Sequence, residues 1–200
     1  MKKLVADELR ATFKAHGFRA KGLTFHRQVA DNFGIIQLQK SRNSTAGIVE
    51  FTINLGVFSG RVQRTLSECM WMPEVTGVPT EPVCHLRKRV GSLLPEARDV
   101  WWSIRAGADV AELGATIRSV LELQAFPFLE PRISDEGLRD HWLQRAPRGP
   151  QGLALAVLTR DLGPRELLAP LLERLRAETP ASATLLVAAI ARFSATCAAT

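Results

Sequence analysis

A chain of 200 residues, 46% hydrophobic and carrying a formal net charge of +6, is long enough for one domain with an accessory or for two small ones, and its composition excludes a disordered chain. No apolar run approaches the roughly 20 residues needed to cross a bilayer, and Asp7 and Glu8 interrupt the opening MKKLVADELR before a signal-peptide core can form. Cys69, Cys84 and Cys197 are odd in number, widely spaced and lack a C-x-x-C, so they read as buried thiols of a reducing compartment, and the expected location is cytoplasmic.

From Lys3 to His16 the positions Leu4, Val5, Leu9, Thr12 and Phe13 recur at helical spacing, with Gly17 where a helix-ending residue belongs. The period then changes to two. GLTFHRQV, FGIIQLQKS and IVEFTINLGVF, separated by Asp31-Asn32 and by Asn43 to Gly47, predict a three-stranded antiparallel meander. Residues 60–82 contain Gly60, Pro73, Gly77, Pro79 and Pro82 and read as a long connection with a short helical turn near Val62 to Leu66. HLRKRVGSLL and DVWWSIR then read as a second hairpin turning around Pro95 and Glu96, which completes five strands.

Val110, Leu113, Ile117, Val120 and Leu121 predict a helix over 109–126, and Ser134 followed by Asp135 and Glu136 predicts the start of another. The Pro- and Gly-rich RAPRGPQG at 145–152 is the expected boundary between a sheet domain, 1–146, and a helical segment, 151–200. Three helices are predicted there, over about 152–161, 165–177 and 181–197, the last capped by Thr179 with Pro180 at its first position. Pro170 should kink the middle one or mark its true start. The expected fold class is therefore α+β: a five-stranded antiparallel sheet covered by helices, followed by a C-terminal three-helix segment.

Gly17 and Phe18, the Gln39-Lys40-Ser41 strand end, the strand with Phe51, Thr52, Asn54, Leu55 and Gly56, and the pair Trp101-Trp102 together form a pattern. In this the chain resembles, over about residues 1–130, the bacterial family known as domain of unknown function 4304. The resemblance implies no activity, and it leaves the last three helices outside. Twenty Arg against six Lys also fits a GC-rich bacterial genome.

Alternation sorts the strand side chains into two faces. Ile36, Leu38, Val49, Phe51, Ile53, Leu55 and Val57 are the expected core. Gln37, Gln39, Thr52, Asn54, Arg87, Arg89, Trp101 and Ser103 fall on the other side and form the candidate binding platform, since Arg and Trp are enriched at interface hot spots and Arg with amides holds anionic groups. The plainer reading is that an antiparallel sheet needs one solvated face. His26 and Glu50 are candidates for an acid–base pair across neighbouring strands, although the alternation places His26 among surface residues.

Cys84 and His85 point to opposite faces of a strand, so no metal site is expected, and no cofactor either. The motifs G-x-S-x-G, H-E-x-x-H, G-x-x-x-x-G-K-[ST] and G-x-G-x-x-G are absent from the sequence, so no catalytic residue is assigned. Residues 1–107 hold 16 Lys and Arg against 9 Asp and Glu, whereas residues 108–200 hold 10 against 11. That basic half is compatible with phosphate contacts, giving nucleic acid as the alternative partner. An enzyme with an unrecognised site is the third reading. The leading expectation is a non-enzymatic cytoplasmic module, immunity-like or accessory, that binds another protein and no membrane.

Overall fold

In a computed structural model, which describes residues 1–70 and 73–198, the chain is α+β, as the change of period after Gly17 implies. It divides into two units. One is Met1–Phe58 with Val78–Pro131, and the other is Ser59–Gly77 with Arg132–Thr200.

The first unit opens with Leu4–Leu9, π-wound, running on into α1 (Arg10–Ala15). Gly17, at φ 75°, then turns the chain, a left-handed conformation that glycine adopts without a Cβ penalty. The strands are β1 (Arg19–Lys21), β2 (Thr24–Val29), β3 (Asn32–Lys40), β4 (Ile48–Phe58), β5 (Leu86–Arg89) and β6 (Trp102–Arg105). They make one antiparallel sheet of order β1-β2-β3-β4-β5, with β6 also on β4. The predicted second hairpin does not form: β5 pairs with Asn54–Val57 and β6 with Ile48–Phe51, so the two strands share one flank of β4 instead of pairing with each other. Between them the chain leaves the sheet through a 3-10 turn, Val90–Leu93, whose Val90 is fully buried.

Register places Ile36 opposite Leu55 and Leu38 opposite Ile53, and these four with Phe25, Phe51 and Val57 form the buried face. Aromatic rings lie against it. Phe13 of α1 stacks on Phe25 at 3.6 Å, and Phe126 meets Phe13 edge-on at 6.1 Å. Phe126 belongs to one long helical run built from α3 (Ala111–Val120), a π-wound Leu121–Ala125 and α4 (Phe126–Leu129). α3 packs on the Leu4–Leu9 segment, where Arg118 donates to the Glu8 carboxylate at 2.5 Å.

The second unit is helical. Its elements are α2 (Gly60–Met70), α5 (Asp135–Leu143), α6 (Gly149–Leu162), α7 (Leu168–Glu178) and α8 (Thr184–Ala198). α2 is a full helix where the sequence predicts only a turn: Val62, Leu66 and Cys69 lie on one side at helical spacing and are buried as it packs on α6 and α8. Ser134 caps α5 as predicted, its hydroxyl accepting from the Gly137 amide at 3.1 Å. The predicted cap of the last helix is not used. The Thr179 amide instead closes α7 on the Leu175 carbonyl at 3.0 Å, and α8 begins at Thr184. Pro170 sits in the first turn of α7, where a missing N–H costs no helical bond. The segment 145–152 lies within this unit and runs into α6.

Candidate functional site

Across the sheet the register aligns Lys21, Thr24, Gln37, Asn54 and Arg89 in one row, and Arg19, His26, Ile35, Gly56 and Arg87 in the next. Gln39 stands opposite Thr52, and Ser103 opposite Glu50. The candidate residues of β3, β4, β5 and β6 therefore share a face, and Trp101, two positions before Ser103, falls on the same side by alternation.

They do not share an environment. Thr52 and Asn54 are buried, Gln37 is half-buried, and Gln39, Arg87, Arg89, Trp101 and Ser103 are exposed. The cover comes from the segment before β5. A 3-10 turn, Glu81–Val83, crosses β3 and β4 on this side, and a Cβ added at Gly56 would meet Cys84 Sγ at 2.6 Å and Cys84 Cβ at 2.9 Å. Burial pushes the Cys84 thiol up to about 12, with the Glu81 charge adding to the effect.

The buried polar groups tie the sheet together. Asn54 Nδ2 donates to Gln39 Oε1 at 2.6 Å, and Thr52 Oγ1 donates to the Val100 carbonyl at 2.8 Å, which fixes the chain as it re-enters the sheet at β6. Both guanidinium groups are also held from within. Arg87 makes a fork on Glu81 at 2.8 and 3.2 Å, a hydrogen bond that holds its pKa above the ordinary value. Arg89 bonds to Asp99, and the same carboxylate oxygen accepts the Trp101 indole N–H at 3.0 Å. The Arg89 guanidinium lies over the Trp101 ring, 5.5 Å from its centroid, in cation–π geometry. The result is an exposed Trp–Arg pair fixed by a shared carboxylate.

Glu81 and Asp99 carry this arrangement, and sequence reading does not find them, because both lie in irregular segments where no period assigns a direction. The cluster around Glu130 is a further one it misses. His16 Nδ1 lies 2.8 Å and Arg27 Nη1 3.2 Å from Glu130 Oε1, while the His16 ring stacks on Phe126 at 3.8 Å. This joins the end of α1 to the far end of the long helical run.

His26 and Glu50 do not meet. His26 faces Arg19 and Ile35 from β2, whereas Glu50 faces Ser103 from β4, with β3 between the two strands. Burial, then the charges of Arg19 and Lys21, hold the His26 pKa below its ordinary value. Among the described residues, four of the 16 basic residues of the N-terminal half face carboxylates: Arg27 meets Glu130, Arg61 meets Asp135 and Asp161, Arg87 meets Glu81 and Arg89 meets Asp99. Among the described residues no group of His, Cys, Asp and Glu could hold a metal ion, and no helix is long and apolar enough to cross a membrane.

A family model described as Domain of unknown function (DUF4304) matches residues 9–131, more than half of the chain. Comparison with the curated proteins and with the solved structures gives no match.

Proposed function

The chain belongs to the DUF4304 family, and from that premise we propose that it is a non-enzymatic module of the bacterial cytoplasm, immunity-like or accessory, that binds another protein through the exposed part of its polar sheet face. The observation that carries this reading is the Trp101–Arg89 pair on Asp99. Trp and Arg are the residue types most enriched at interface hot spots, and two side chains already held in one geometry lose little conformational freedom when a partner docks. Arg87, Gln39 and Ser103 surround the pair with polar groups, while Thr52 and Asn54 act beneath the surface as supports.

Nucleic-acid binding has less support, because four of the arginines that suggested it already face carboxylates. A salt titration separates the two readings, since phosphate contacts weaken steeply as salt rises. The direct test is capture of a partner from the native host by the full chain, compared with a Trp101→Ala, Arg89→Ala double variant. Loss of the captured protein, with an unchanged circular dichroism spectrum, supports the platform, and equal recovery by both chains removes it.

A further inference from the structure

At the opposite end of the sheet from Trp101, a hollow of about 360 Å³ is lined by Gly17, Arg19, His26, Gln28 and Ala30. We propose that this hollow binds a phosphate group, free or as the head of a small ester. Arg19 and His26 are direct ladder partners, so both side chains rise from the same face, and Lys21 follows two positions along on that face. Among the described residues, no carboxylate lines the hollow. Neither Arg19 nor Lys21 has a carboxylate partner among the described residues.

The histidine supplies the second argument. Its Nδ1 is buried and has no hydrogen-bond partner, although the residue as a whole is only half-buried. With Nδ1 buried and unpartnered, the ring nitrogen that His26 can offer a ligand in the hollow is Nε2, which donates when it carries the hydrogen. A guanidinium fork beside an imidazole N–H, with a lysine ammonium close by, matches an oxyanion of high charge. A phosphate monoester, with its second ionisation near pH 6, carries close to two charges at neutral pH, free phosphate carries between one and two, and a carboxylate carries only one. The volume lies at the small end of the range for ligand sites, enough for a phosphate and a few further atoms. A dianion there also offsets the charges of Arg19 and Lys21, which add to burial in lowering the His26 pKa.

The test uses the full chain and the NMR resonances of the His26 ring, identified by their loss in His26→Gln. Inorganic phosphate, glycerol phosphate and, at matched ionic strength, sodium acetate are titrated at pH 7. The expected result is a saturable shift with either phosphate, a His26 pKa that rises on saturation, and little response to acetate. Arg19→Gln should weaken the phosphate midpoint by about tenfold or more, the scale of one charge-assisted hydrogen bond. Lys40→Gln, which removes the same charge outside the hollow, should leave the midpoint unchanged. A tighter midpoint for glycerol phosphate identifies an ester as the ligand class, and a tighter one for inorganic phosphate identifies the free ion. No saturable shift, an equal response to acetate, or equal weakening by Arg19→Gln and Lys40→Gln overturns the proposal. The Trp101 reading stands or falls separately, because its residues lie at the other flank of the sheet.

Discussion

Gly56→Ala is the perturbation whose cost the geometry fixes most closely. The new methyl would stand 2.6 Å from Cys84 Sγ and 2.9 Å from Cys84 Cβ, against an optimal separation of about 3.5–4.0 Å between carbon atoms. Something must move by about 1 Å. Cys84 cannot swing away freely: it is buried, its amide is bonded to the Glu81 carbonyl at 3.0 Å, and the next amide, His85, is bonded to Val57 at 2.9 Å. Overpacking of this kind costs about 1–3 kcal/mol, partly offset by up to about 1 kcal/mol from the stiffer unfolded chain. The expected net loss is about 1–2 kcal/mol, read as a lower urea midpoint by circular dichroism. Cys84→Ala in the same chain removes the nearer atom, so the pair should couple favourably by at least about 0.5 kcal/mol. A Gly56→Ala chain as stable as the parent, or strict additivity with Cys84→Ala, would refute the claim that the Glu81–Cys84 segment lies tightly on the sheet.

The buried Cys84 thiol, pushed up to about 12, should resist alkylation at pH 8 in the folded chain and react only on unfolding, as mass spectrometry of labelled peptides can determine. His26 gives a pH dependence of definite sign. Its folded pKa lies below the ordinary value of about 6.5, so above that pH it contributes nothing. As pH falls below about 6.5 the unfolded chain takes up the proton first, and stability declines until the folded pKa is passed. Denaturation midpoints between pH 7.5 and 5 should fall less steeply for Arg19→Gln, which removes one of the charges responsible. Ser134→Ala, which deletes the α5 cap, should cost about 1 kcal/mol in urea denaturation, whereas Thr179→Ala should leave the start of α8 unaffected in hydrogen exchange.

The sheet is legible in the sequence because its two faces differ so sharply in β3 and β4. Ile36, Leu38, Phe51, Ile53 and Leu55 repeat at period two, and nothing but a strand with one apolar side explains that spacing. The burial of Thr52 and Asn54 is not legible. It depends on a covering segment from residues 78–84, where proline and glycine signal irregular chain without indicating its path. The pairing of β5 and β6 is hidden for a related reason, since alternation gives the side of each residue but not the neighbour of each strand. α2 was readable in principle from Val62, Leu66 and Cys69, but the glycines and prolines around it suggested a loop. For the candidate site, the shared face is readable, while Glu81 and Asp99, which hold its arginines in place, lie in irregular chain that no period orients.

The matched family stretch ends at Pro131, yet it contains α2, whose apolar side is covered by α6 and α8 from beyond that point. Homology and folding thus divide this polypeptide at different places. Any protein that shares only the matched stretch has to bring its own greasy surface to that helix, from a different tail or from a second molecule.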